Sequence, residues 1–176
     1  GNNGPNMPFD YSFFAGGAND NRGFIARSLG PGVYKYYLDT NRTATEIGDI
    51  RIAASFEYRF RISGMFKGAL FTDVGNIWTI NEDPNRIGGK FTSDWYRQIA
   101  VAGGFGLRVD LDFLILRFDI GIPWRNPALP DGAKWIFQSR AAYIQEGIDV
   151  FGEEDYARLL PKQFQPVLQI GIGFPF

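Results

Sequence analysis

The chain has 176 residues, with 18 basic and 19 acidic side chains and a net charge of −1. This balance argues against a nucleic-acid partner, because neutralising phosphates requires a basic surface. The absence of cysteine and histidine excludes zinc-finger, thiol and imidazole chemistry and a disulfide framework, so we expect no bound metal and no cofactor.

The first segment, residues 1–48, is rich in glycine, asparagine and proline and shows little periodicity. We interpret it as a long structured loop, and loops of this length are usually functional or disordered. Residues 1–8 lack the apolar core of a signal peptide, so any export signal is expected upstream of Gly1. No run of about 18 apolar residues occurs, so no transmembrane helix is predicted.

Strict alternation of apolar and polar residues begins at Ile50 and continues to Ile62. Isoleucine, phenylalanine and tyrosine share one face, whereas arginine, glutamate and serine share the other. A period of two predicts a β-strand with one apolar and one charged face. The segment exceeds the usual strand length of about 5–6 residues and suits a tilted membrane-spanning strand of about 9–11 residues.

Four more strands are predicted along the chain, separated by turn signals and polar segments. Their ranges are Met65–Trp78, Gln98–Val109, Asp112–Ile122 and Val167–Phe176. Short turns are expected at Ser63-Gly64 and Asp110-Leu111, and long loops at 79–97 and 123–166. The second long loop has room for short helices at Ala133–Gln145 and Glu153–Leu160.

Alternating long and short loops are typical of outer-membrane barrels, which have long extracellular loops and short periplasmic turns. Strands with one apolar and one charged face fit a wall between lipid and a polar lumen, and lipid requires a closed barrel. We therefore predict an all-β fold, part of a transmembrane antiparallel β-barrel. Five strands are fewer than the minimum of about 8, so either the remaining strands lie upstream of Gly1, which we favour, or several copies combine.

Aromatic residues flank both long loops. Trp78, Trp95 and Tyr96 lie beside the first loop, and Trp124 begins the second. Such residues are expected at the membrane interface. Packing within the extracellular loops is the alternative, and we favour it for Trp135.

An ordered set of short motifs carries a family resemblance. The motifs are Gly16-Gly17, Arg22-Gly23-Phe24, Leu29-Gly30-Pro31, Gly48-Asp49, Glu57 within a strand, Phe71–Trp78 and the C-terminal Phe176. The Arg-Gly-Phe tripeptide alone is a weak signal, but the ordered set is specific. Over nearly its whole length, the chain resembles the C-terminal barrel region of the BamA/TamA family, in the bacterial surface antigen superfamily.

The resemblance implies that residues 1–48 form an extracellular loop that folds back into the barrel lumen. Arg22, followed by Gly23 and Phe24, is then expected to contact Glu57 and Asp73 on the inner wall. Residues 49–176 would supply the last five of about 16 strands. The guanidinium group of Arg22 can donate hydrogen bonds to two carboxylates at once. The alternative is that Arg22, Glu57 and Asp73 are ordinary solvated charges.

The last strand resembles the C-terminal targeting signal of outer-membrane barrels, with Phe174 and Phe176 at its end. In the family this strand closes the barrel at a seam that is thought to open laterally. Gly171 and Gly173 weaken strand packing, which fits a seam that parts. Glycines that relieve crowding in the lumen are an equal alternative.

The resemblance implies a non-enzymatic insertase of the bacterial outer membrane. Its expected partners are client outer-membrane proteins, membrane lipids and accessory periplasmic or lipoprotein subunits. Residues 122–132 resemble TamA-like lipoprotein members. The alternatives are a two-partner barrel that secretes one polypeptide and a passive porin-like barrel.

An enzyme is not expected. The neighbouring carboxylates Asp110 and Asp112 fall in a predicted tight turn, and Glu153 and Glu154 fall in a polar loop. Neither position suits an acid–base pair across a cleft, and the chain carries no nucleophile motif.

Overall fold

The computed structural model describes residues 12–35, 38 and 46–173. Five strands form one antiparallel sheet, and their order in space follows their order in the chain. The predicted antiparallel sheet is confirmed. The strands are β1 (Ile50–Ser63), β2 (Phe66–Trp78), β3 (Ala100–Asp110), β4 (Ile115–Arg125) and β5 (Val167–Gly173).

Short turns join the strands at one end of the sheet. Gly64, between β1 and β2, has a φ of 50°, a conformation that glycine adopts without steric cost. The fourth strand does not begin at Asp112 as predicted, because Asp112 has a φ of 64° and lies in the turn. The N–H of Leu111 donates to the carbonyl of Leu114 at 2.9 Å and closes this turn before β4 starts.

One face of the sheet is apolar and exposed, and we call it the outer face. A single register row crosses all five strands there, and its side chains are between 44% and 64% exposed. The row is Tyr58, Leu70, Phe105, Ile120 and Leu168. Because strand side chains alternate, the opposite inner face carries the polar residues that the sequence placed there.

Residues 12–35, which we call the inner loop, cover the inner face. The apolar core lies between this loop and the sheet. Its buried members come from both sides: Ala15, Phe24 and Leu29 from the loop, and Ile77, Ala100 and Ala102 from the sheet.

The long connections lie at the end of the sheet opposite the short turns. The connection from β2 to β3 contains a 3-10 helix, Trp95–Gln98, and that from β4 to β5 contains α1 (Arg140–Phe151) and α2 (Tyr156–Leu159). The helix predicted from Ala133 begins only at Arg140, because Trp135 forms an antiparallel bridge with Arg125 at the end of β4. Ser139 caps α1 by accepting a hydrogen bond from the N–H of Ala142 at 3.2 Å.

Trp78, the last residue of β2, packs against the loop that follows the strand. Its side chain is fully buried, packs edge-on against Phe91 and Trp95, and donates from Nε1 to Gln98 Oε1 at 2.6 Å. Packing within the loop, the alternative left open by the sequence, describes this tryptophan. Within the described part of the chain, no helix is long and apolar enough to span a bilayer.

Candidate functional site at the inner loop

The inner loop turns sharply before it meets the sheet. The N–H of Gly17 donates to the carbonyls of Asn21 and Phe24, at 3.3 and 3.0 Å, and the N–H of Phe24 donates to the carbonyl of Asn21 at 3.1 Å. Gly16 and Gly17 have φ angles of 93° and 105°, which favour glycine. This turn directs Arg22 toward the inner face, where its side chain is only 4% exposed.

Arg22 binds carboxylates from two strands. Its Nε and Nη2 donate to the two oxygens of Asp73 at 2.8 and 2.9 Å, and its backbone N–H donates to the same carboxylate at 3.0 Å. Nη1 donates to Glu57 Oε2 at 2.5 Å, and Nη2 to Ser55 Oγ at 3.2 Å. The structure therefore brings together the arginine and the two acids that the resemblance singled out.

A second arginine extends this arrangement across β3 and β4. Arg108 donates from Nη2 to Glu57 at 2.9 Å and from Nη1 to Asp119 at 2.5 Å. Asp119 also lies 3.9 Å from Arg22 Nη1. The sequence interpretation missed both residues, although alternation places each on the inner face of its strand. We call Arg22, Arg108, Glu57, Asp73 and Asp119 the arginine cluster.

The ring of Phe71 supports the guanidinium group of Arg22. The centre of the ring lies 3.5 Å from Arg22 Cζ, and the Phe71 side chain is buried. A cation over an aromatic face is attracted by the ring quadrupole. Arg22 is therefore held at its edge by carboxylates and across its plane by Phe71.

Two glycines allow the loop backbone to lie directly on the sheet. A Cβ on Gly121 would overlap the carbonyl oxygen of Arg22 and stand 2.7 Å from the nitrogen of Gly23. A Cβ on Gly23 would overlap Ala102 Cβ and stand 3.1 Å from the backbone of Ile122. Gly23 of the Arg-Gly-Phe motif and Gly121 of β4 therefore lack a side chain for the same reason, which is that the loop backbone and the strand backbone lie in close contact.

The inner loop also reaches the last two strands. Arg117 of β4 donates from Nη2 to the carbonyl of Ala18 at 3.2 Å and to Asn19 Oδ1 at 2.5 Å. Gln169 of β5 donates from Nε2 to the carbonyl of Phe24 at 2.9 Å. With the contacts to Glu57 and Asp73, the loop is bound to the sheet from β1 to β5.

The family model for the Omp85 superfamily domain matches residues 1–143. The chain belongs to the Omp85 superfamily. This superfamily is associated with the bacterial outer membrane, and its members are non-enzymatic insertases and transporters. The matched range contains the inner loop and the whole arginine cluster. No curated protein matches the chain.

The glycines of β5 in this Omp85 chain have different surroundings. A Cβ on Gly171 would stand 2.7 Å from Arg117 Nη2, whereas no atom of the described residues lies within 4 Å of a Cβ on Gly173. A side chain at position 171 would crowd Arg117, so the contact at Gly171 fits the alternative in which glycine relieves crowding in the lumen. Phe174 and Phe176, which the sequence assigned to the C-terminal signal, lie outside the described residues.

The chemistry that this Omp85 site offers is electrostatic attachment. Each of its three carboxylates receives a hydrogen bond from Arg22 or Arg108. Across residues 12–35, 38 and 46–173, no three His, Cys, Asp or Glu side chains are grouped as metal ligands.

Replacing Gln169 with leucine is expected to loosen β5. The substitution leaves the carbonyl of Phe24 without its side-chain donor, at a cost of about 1 kcal/mol. Hydrogen exchange of the β5 amides should become faster while exchange in β2 and β3 stays unchanged. Gln165→Leu, at an exposed position just before β5, is the control, and equal exchange in the two variants would remove any role for the Gln169 contact.

Proposed function

We propose that this chain is part of an insertase that assembles client proteins into the bacterial outer membrane. The membership of the Omp85 superfamily supports this class, and the observation that carries the proposal is the inner loop bound across all five strands. A passive pore needs no such attachment, since a loop fixed across the inner face obstructs the space through which solutes would pass.

The arginine cluster is proposed to hold the inner loop inside the barrel. Arg22, Gly23 and Phe24 supply the attachment from the loop, and Glu57 and Asp73 supply it from the wall. Burial supports this role, because Arg22 and Asp73 are 3% and 1% exposed. Buried charges that are paired resist separation far more than surface pairs do.

Client strands are proposed to add at the edge of β5. β5 is the last strand in the order of the sheet, and the resemblance to the BamA/TamA family implies that this strand borders a seam that opens. An unpaired strand edge offers backbone donors and acceptors to an incoming strand. The outer face would then contact lipid hydrocarbon, and its apolar register row suits that environment.

Depletion of the full-length protein, followed by quantitative profiling of the outer-membrane proteome, tests the proposal. We expect many unrelated barrel proteins to decline together, because a general insertase acts before each of them reaches the membrane. Depletion of a lipoprotein of matched abundance is the control for general membrane stress.

A decline confined to one exported polypeptide would replace the proposal with a two-partner secretion barrel. A decline confined to a small set of barrels would narrow it to a specialised assembly factor, the role that the likeness of residues 122–132 to TamA-like members favours. An unchanged proteome with lost solute uptake would identify a porin-like barrel.

A further inference from the structure

A row of four cationic side chains crosses the inner face near the short turns. Strand register places directly opposite one another, from β1 to β4, the residues Arg61, Lys67, Arg108 and Arg117. We call these four residues the basic row. Like charges on directly opposed residues repel one another, so each member needs a compensating partner if the row is not to destabilise the sheet.

Carboxylates of the chain compensate two members of the basic row. Arg108 donates to Asp119 at 2.5 Å and to Glu57 at 2.9 Å. Lys67 Nζ lies 2.7 Å from Asp110 Oδ2. The second pair is open to solvent, with 40% of the lysine side chain and 24% of the aspartate side chain exposed, so water and salt weaken it.

The other two members of the row keep their charge. Arg117 donates to uncharged groups of the inner loop, the carbonyl of Ala18 and Oδ1 of Asn19. Its Nε is buried and has no hydrogen-bond partner among the described residues. Arg61 is exposed. Within residues 12–35, 38 and 46–173, no ion pair joins either arginine to a carboxylate, so the row is positively charged.

The basic row lies between the arginine cluster and the short turns. Arg61 is two residues from the end of β1, and Lys67 is the second residue of β2. The arginine cluster binds these strands farther from the turns, at Glu57 and Asp73. Arg59, in the next register row, is also 61% exposed. Positive charge therefore faces the lumen at the end of the sheet that the short turns form.

We propose that the basic row binds an acidic segment of a client polypeptide as the client enters the lumen. The inference rests on the proposed function, in which the chain is part of an outer-membrane barrel with its short turns in the periplasm. A client that arrives from the periplasm meets the row before it reaches the inner loop. Complementary charge steers such a partner and speeds its encounter with the site.

The length of the row suits an extended segment with several carboxylates. Neighbouring strands lie about 4.8 Å apart, so the row extends roughly 14 Å from β1 to β4, which is farther than one carboxylate or phosphate can reach. In an extended chain, alternate side chains lie on one face about 6.8 Å apart. Acidic residues at every second position therefore place two or three carboxylates along the row.

The surroundings of the row favour a transient client over a permanent subunit. Permanent interfaces bury large apolar areas. At this level, however, the inner faces of β1 and β2 carry only polar or small side chains, which are Arg59, Arg61, Ser63, Lys67 and Ala69. Exposed ion pairs are individually weak and are screened by salt. A segment held by such pairs leaves readily, as the passage of successive clients requires.

Fluorescence anisotropy with the full-length protein in detergent tests the inference. The probe is a fluorescein-labelled peptide of alternating glutamate and serine, and the same peptide with glutamine in place of glutamate should not bind. Arg61→Gln combined with Lys67→Gln should weaken binding of the acidic peptide by about tenfold, since each exposed ion pair contributes up to about fivefold in affinity. Both side chains lie outside the arginine cluster, so the attachment of the inner loop should be retained, and protease resistance of the barrel verifies this.

Lys90→Gln combined with Arg140→Gln is the matched control. It removes the same two kinds of charge from exposed positions in the long connections, and it should leave the affinity unchanged. Equal affinity of the unmodified protein and the Arg61→Gln, Lys67→Gln variant would overturn the inference, as would equal weakening in the control. Displacement of the peptide by inorganic phosphate at constant ionic strength would also overturn it, because a single anion would then suffice as the occupant.

The depletion experiment on the outer-membrane proteome is independent of these variants and separates the two proposals. If many barrel proteins decline but the Arg61→Gln, Lys67→Gln variant binds the peptide normally, only the basic row is overturned. If the variant binds the peptide weakly but the proteome is unchanged on depletion, the row binds acidic peptides that are not clients. The proposed function and the assignment of the row to clients then fail together.

Discussion

Replacing Arg22 with alanine is expected to lower the free energy of unfolding by about 3–5 kcal/mol, the usual cost of removing one partner from a buried ion pair. The cost arises because Asp73 and Glu57 stay in place with fewer hydrogen-bond donors. Asp73 would lose both guanidinium donors and keep only the backbone N–H of residue 22 and the hydroxyl of Ser55. Glu57 would keep only Arg108 and the exposed Arg59. Urea titration of the full-length protein in detergent measures this change, and protease cleavage within the inner loop should become faster.

Arg51 provides a matched control for this experiment. It too joins β1 to the inner loop, through a contact of 2.8 Å between its Nη2 and Asp20 Oδ1. Its side chain is 37% exposed, so Arg51→Ala should cost about 0–1 kcal/mol, as exposed pairs do. Similar destabilisation by Arg22→Ala and Arg51→Ala would show that burial of the arginine cluster contributes nothing.

Alternation was sufficient to predict which face of each strand is polar. Glu57 lies between Phe56 and Tyr58, and Asp73 shares the parity of Lys67, so a period of two assigns both acids to the inner face. The same rule predicted the sheet, because thirteen alternating residues from Ile50 to Ile62 fit only an extended strand.

Alternation could not reveal which charges meet. Arg108 and Asp119 were on the polar faces of their strands, but so was Arg117. Their partners depend on the register between strands and on the height at which the loop crosses them. In the structure, Arg108 bridges Glu57 and Asp119, whereas Arg117 binds the loop. These distances are set by tertiary packing, which a single strand pattern does not contain.

The glycines show a related limit of sequence reasoning. Gly121 and Gly171 both lie on the polar faces of their strands, opposite the apolar row, and a sequence gives both the same low strand propensity. Their neighbours differ in the fold. Gly121 faces the backbone of Arg22, which is fixed, whereas Gly171 faces the end of the Arg117 side chain, which can move. Only the first arrangement makes glycine a requirement for loop docking.

Gly121→Ala is therefore expected to separate the inner loop from β4. The new Cβ would overlap the carbonyl of Arg22 and approach the nitrogen of Gly23, so backbone must shift. Overpacking of this kind costs about 1–3 kcal/mol, and the shift also lengthens the contacts between Arg22 and Asp73. Hydrogen exchange should therefore rise at the N–H of Arg22, which donates to Asp73 at 3.0 Å.

Gly173→Ala is the matched control, since among residues 12–35, 38 and 46–173 no atom comes within 4 Å of a Cβ there. Its stability should stay within about 0.5 kcal/mol of the unmodified protein, as for other unconstrained surface changes. If Gly121→Ala is equally mild and leaves the Arg22 N–H protected, the loop backbone can retreat without losing its carboxylates. The attachment of the loop would then depend on the length of the Arg22 side chain and would not require close contact between the loop backbone and β4.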